Sequence, residues 1–78
     1  MWKRTTGVIV GGKNFAVCTM ARGDRFATML FKANREGDVT DWAKGTVLEE
    51  FGGERSAELG HDRIVRDADR IGKAASAI

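Results

Sequence analysis

His61 and Cys18 are the single histidine and the single cysteine of this 78-residue chain, and each could do chemistry. An imidazole exchanges protons near neutral pH and ligates metals. A thiolate attacks electrophiles, but only where its surroundings favour the charged form. Neither works alone. A catalytic histidine needs a nucleophile or a second acid–base group and something to orient it. On a helix, Glu58 lies within reach of His61 whereas Asp62 points away, and one carboxylate beside one histidine is common. Gly60 just before it marks a close approach of helix to sheet. His61 therefore reads as a structural, half-buried residue, with partner contact as the second reading. Cys18 falls in an alternating segment and reads as a small apolar residue. One cysteine and one histidine leave a tetrahedral zinc site short of ligands. Asp38, Asp41, Glu49 and Glu50 cluster without the regular oxygen spacing of a calcium loop. Gly11-Gly12-Lys13 lacks the remaining glycines and the Lys-Ser/Thr ending of a phosphate loop. Arg22-Gly23-Asp24 reads as a hairpin turn. No catalytic set, metal-ligand set or cofactor loop emerges, so the expectation is a non-enzymatic protein with no cofactor and no small-molecule substrate.

The elements around these residues are legible. Thr5 to Val10 is rich in β-branched residues and reads as a strand. Gly11 to Asn14 supplies the positive φ of a tight turn. Phe15 to Met20 alternates, with Phe15, Val17 and Thr19 on one face and Ala16, Cys18 and Met20 on the other. After the turn at residues 22–24, a third strand runs from about Arg25 to Lys32. Residues 34–41 form a polar loop. A turn or single helical turn at Trp42 leads to a short strand ending near Phe51. Such short connections predict antiparallel pairing. From residue 55 to 73, Ala57, His61, Ile64, Ala68 and Ile71 recur at helical spacing. Asp62 with Arg66, Arg63 with Asp67 and Asp69 with Lys73 lie at i,i+4 spacing on the opposite side. The expected fold is α+β: one domain over residues 1–78, a meander of three or four antiparallel strands packed by one C-terminal helix, with residues 74–78 fraying.

Charge is uneven along the chain. Residues 1–35 carry seven basic side chains against one acidic, and residues 36–78 carry six against ten. Two readings follow. The halves neutralise one another when sheet and helix pack, or the basic half meets a phosphate backbone. In the second case Lys13, Arg22, Arg25, Lys32 and Arg35 would contact nucleic acid while Phe15, Phe26 and Phe31 stack on bases. No complete RNA-binding motif accompanies them, and the same aromatics are the best core material. No apolar stretch is long enough to cross a bilayer. The run Val8-Ile9-Val10 is too short for a secretory signal. With a lone cysteine, this points to a cytoplasmic protein without a membrane partner.

Both faces of the expected sheet carry apolar residues, so one helix cannot cover everything. Either Trp2, Trp42 and the C-terminus shield the second face, or a partner does, in a heteromeric contact or a homodimer. The candidate interface is Met20, Met29, Phe31, Trp42 and His61, and an edge strand is a further place for another chain to pair. The segment Phe26-Ala27-Thr28-Met29-Leu30-Phe31, then Val39-Thr40-Asp41-Trp42, then Gly60-His61, resembles a group of small uncharacterised phage-associated proteins. Those share a Thr-Met-aliphatic-Phe strand, an Asp-Trp turn and a helix bearing Gly-His. The resemblance spans about residues 24–66. It departs at Ala27, where the group has an acidic residue, and at Phe51, where it has a tyrosine. It implies an accessory protein of a phage or mobile element, an inhibitor or regulator that binds a host protein, with no site attached.

Overall fold

A computed structural model describes residues 3–78. Four strands form one antiparallel sheet in chain order: β1 Lys3–Val10, β2 Lys13–Arg22, β3 Arg25–Lys32 and β4 Gly45–Phe51. The α+β meander is thus as the alternation predicts, with four strands. The β1–β2 connection is the two residues Gly11 and Gly12, with φ of 57° and 79°. Both positive values are what a hairpin turn matched to strand twist requires, and only glycine reaches them freely. The β2–β3 hairpin turns on Gly23 and Asp24 and sets Thr19 opposite Thr28 and Cys18 opposite Met29. The β3–β4 register slips between Thr28 and Met29, a bulge that bends the last strand.

The helical stretch is divided, which corrects the single helix expected. Helix α1 is Glu54–Val65 and α2 is Ala68–Ala75. Asp67 makes the break. Its carboxylate accepts from the Arg70 backbone N–H at 3.2 Å and caps α2, a bond available only when residue 67 itself leaves helical geometry. Of the expected apolar stripe, Ala57, His61, Ile64 and Ile71 remain buried against the sheet, but Ala68, beside the break, is exposed, and Ala74 takes the next buried place instead. The i,i+4 ion pairs expected along the helix do not form. Asp62 instead reaches Arg4 of β1 at 2.9 Å, and Arg63 reaches Glu49 of β4 at 2.8 Å. Arg70 of α2 bonds the same Glu49 at 2.8 Å and the Leu48 carbonyl at 2.9 Å. After α2 the chain stays hydrogen-bonded, with Ser76, Ala77 and Ile78 donating to Gly72, Ala74 and Ala75.

The helices cover one face, where Phe15, Val17, Leu30, Phe51, Ile64 and Ile71 make the core. Gly60 lets α1 come close: a Cβ there would run into the Phe51 ring. The opposite face is closed by the 33–44 connection. Gly37 lies over Gly7, where an added Cβ would meet the Gly37 Cα at 3.4 Å. Trp42 packs on Phe31 with ring centroids 4.9 Å apart, and the Lys3 ammonium sits 4.2 Å above the indole. Gly45 leaves the space that the Phe31 ring occupies. Trp42 therefore takes the shielding role expected of it. The C-terminus does not, since Ile78 packs against the helix-side core. Trp2 lies outside the described residues.

Candidate functional site

Two features stand out from the residues upward, a sealed polar chain and an open strand edge. The polar chain starts at position 61. Gly60 seats α1 deeply enough that the His61 side chain enters the sheet face with no exposure to solvent. Its Nε2 lies 2.8 Å from Thr6 Oγ1 of β1, and its Nδ1 lies 2.7 Å from Thr19 Oγ1 of β2. Thr19 Oγ1 is in turn 2.6 Å from Thr28 Oγ1 of β3. Four residues from three adjacent strands and a helix thus form one line of hydrogen bonds under the helix.

The direction of that line follows from satisfying each proton. Thr28 is fully buried and its hydroxyl has one partner, Thr19. It must therefore donate to Thr19, Thr19 must donate to Nδ1, and Nε2–H must donate to Thr6. The proton left over is that of Thr6, at the half-buried end. The opposite direction would strand a buried Thr28 proton at a cost of about 1–3 kcal/mol. The imidazole is accordingly neutral. Burial lowers its pKa, the nearby Arg4 charge lowers it further, and Asp62 opposes this in part. Thr19 and His61 have the separation of a nucleophile and its base. Both are sealed, so a substrate atom has no place beside them in this conformation, and the arrangement is structural.

Glu49 is the other organised charge. Burial pushes its carboxyl upward, but hydrogen bonds from Arg70 and Arg63 and their charges together outweigh that and hold it below the ordinary value.

The open feature is the β1 edge. In a two-residue hairpin the residues flanking the turn bond one another, so Val10, Val8, Thr6 and Arg4 face β2. Thr5, Gly7 and Ile9 then direct their N–H and C=O groups outward, and no backbone or side-chain partner meets them among the described residues. A cleft of about 290 Å³ runs beside this edge on the helix side, lined by Val8, Val10, Val65, Ala68 and Ile71. Ile9 is 75% exposed, the most of any large apolar side chain among the described residues.

The other residues singled out in the sequence are scattered. Phe31 and His61 lie inside the fold and offer nothing to a partner, which corrects their place in the candidate interface. Met20 and Met29 are half-buried on the loop face, and Trp42 is half exposed there. Arg22 and Arg25 face each other at one hairpin, whereas Lys13 and Lys32 line a cleft of about 400 Å³ at the other end of β2 and Arg35 belongs to that end as well. Nine residues of extended chain separate Lys13 from Arg22, about 30 Å. The stacking role drawn for the phenylalanines is also corrected. Phe15 and Phe31 are buried, and Phe26 packs on the core. Cys18 is buried and free, with Thr5 Oγ1 donating to its Sγ at 3.5 Å. No group of three or more His, Cys, Asp or Glu among the described residues could hold a metal ion. No helix among them is long and apolar enough to cross a membrane.

Sequence reasoning missed Thr6, Thr19 and Thr28. A signal was present for two of them: Thr19 and Thr28 are equidistant from the Gly23-Asp24 turn, so the hairpin register alone pairs them. Comparison with protein-family models, with curated proteins and with solved structures finds no match.

Proposed function

We propose that the chain is a non-enzymatic protein-interaction module that accepts an extended strand on its β1 edge. The observation that carries this is the contrast between a sheet closed on both faces and an edge left with unpaired backbone groups. Native sheets blunt their edges with charges, bulges or proline. The β4 edge has such protection: the β3–β4 bulge, and Glu49 and Glu50 with their arginine partners. The β1 edge has none from Thr5 to Val10, a stretch without charge or proline. A strand laid along it would gain main-chain hydrogen bonds and drop alternate side chains into the apolar cleft, the division of labour seen in strand addition. The resemblance to small phage-associated proteins suggests a regulator or inhibitor of a host protein in a reducing cytoplasm, where Cys18 remains a thiol.

The direct test is amide hydrogen exchange with a short peptide of alternating valine and threonine. Exchange at Thr5, Gly7 and Ile9 should slow on binding while the already bonded Thr6 and Val8 change little. A peptide that binds without touching those three amides would overturn the reading. Nucleic acid is the rival partner. It is less well supported, because the five basic residues divide between two ends of the sheet and the aromatic platforms are internal. Its signature would be binding to single-stranded or duplex nucleic acid that weakens steeply with salt.

A further inference from the structure

Resting on the strand-accepting reading of β1, we infer that the accepted strand belongs to an acidic peptide, whose carboxylates, about three to four residues beyond the paired stretch, land on Lys13 and Lys32. The apolar cleft beside β1 does not stop at the hairpin. Val10 and Gly11, which border it, also line a cleft of about 240 Å³ between the hairpin and α2. That cleft shares Lys13, Phe15 and Ala75 with the one of about 400 Å³ at Lys32. A groove therefore runs on the helix side from the β1 edge, round the end of the first hairpin, to two lysines.

The charge at its far end calls for an anion. Phe15 stands opposite Lys32 and two residues from Lys13, so both lysines project on the helix face. They are diagonal neighbours, with backbones about 7–8 Å apart. Arg4, Arg25, Arg63 and Arg70 each meet a carboxylate of the fold. Among the described residues no carboxylate, that of Ile78 included, pairs with Lys13 or Lys32. Ala75 and Ile78 make the cleft beside them partly apolar, and the Phe15 ring is buried. A nucleic acid finds no exposed ring there on which to stack a base. Between the two ends, both walls carry glycine, Gly11 and Gly72. The turn requires Gly11. Nothing in the fold requires Gly72, which sits inside α2 without a positive φ, and an added Cβ there meets nothing within 4 Å. Glycine inside a helix is less favourable than alanine. Its bare backbone does leave room for a chain to pass. The length of the flank follows from the sheet: a strand beside β1 lies two strand spacings from β2 and three from β3, a gap that about three to four extended residues cross.

Fluorescence anisotropy with four peptides tests this. One is the plain valine–threonine strand. Two carry a Gly-Ser spacer and Glu-Glu, at the N-terminal or the C-terminal end. The fourth carries Lys-Lys in the same place. One glutamate peptide should bind about fivefold or more tighter than the plain strand at low salt, and lose that gain by about 0.5 M salt. Lys13→Glu with Lys32→Glu changes two exposed side chains, so circular dichroism should be unchanged while the gain passes to the Lys-Lys peptide. Gly72→Leu should abolish the gain and leave the plain strand bound. No gain from either glutamate peptide overturns the inference. So does a gain indifferent to the charge reversal or to Gly72→Leu, and so does a single-stranded oligonucleotide that binds the same lysines more tightly than any peptide. In each case slowed exchange at Thr5, Gly7 and Ile9 with the plain strand would show the edge reading intact. Acidic peptides that bind without slowing those amides would remove both.

Discussion

The two faces of the sheet are closed by different means. On the helix side, bulk does it: Phe15, Leu30, Phe51, Ile64 and Ile71 fill the space between sheet and helices. On the loop side, absence does it. Gly7, Ala16, Cys18, Ala27 and Gly45 keep that face shallow enough for backbone to lie close, and the Phe31 ring packs under Trp42. Small side chains bury little area each, and hydrophobic gain scales with area. The helix face should therefore dominate stability while the loop face should be the first to open. The polar line makes the helix side more demanding still, since each of its fully buried protons has one acceptor.

The largest effect should come from Thr19→Val, which keeps the shape but leaves Nδ1 of His61 without a donor and the Thr28 hydroxyl without an acceptor. Two buried groups at about 1–3 kcal/mol each predict a loss near 3 kcal/mol in urea unfolding. A loss under about 1 kcal/mol would mean that the polar line contributes nothing beyond packing.

Next in size is the pH dependence of the same face. His61 has a lowered pKa when folded, so below about pH 6.5 the unfolded chain binds a proton that the native chain resists. Stability is complete above that pH and falls as pH drops toward the folded value, by at most about 1.4 kcal/mol per unit. Glu49 adds a loss only at lower pH, as the pH falls from the ordinary carboxyl value near 4.5 through its depressed folded one. Urea midpoints measured between pH 8 and 5 should decline, and a flat profile would contradict a neutral buried imidazole.

The smallest effect belongs to the loop face. Trp42→Ala should cost about 1 kcal/mol, the range of one half-exposed aromatic contact. It should also raise the reactivity of Cys18 toward a thiol reagent several-fold, because the loop then lifts more often. Unchanged labelling would show that the connection does not guard that face.

Much of this architecture was legible in order of residues. The β2 and β3 faces follow from strict alternation, and the Gly11-Gly12 turn fixes the first hairpin. The break between α1 and α2 was hidden because Asp67 fits two patterns, an i,i+4 partner for Arg63 and a cap for the next helix. In the fold Asp67 caps α2, and Arg63, its other candidate partner, pairs with Glu49 of the distant β4. The depth of His61 was hidden too, since its partners lie 55 and 42 residues away. The loop that closes the second face has no periodicity to read; its signals are missing side chains at Gly7, Gly37 and Gly45. The open edge was anticipated as a general hazard, but nothing in local sequence says which strand ends up outermost.

One carboxylate, Glu49, bolts both helices to the last strand through Arg63 and Arg70. The elbow at Asp67 is therefore not a hinge in the working sense. Releasing α2 alone would strip Glu49 of one of its two partners, so the two helices should detach as a single cooperative unit, and a truncation ending at the elbow should unseat what remains of the layer as well.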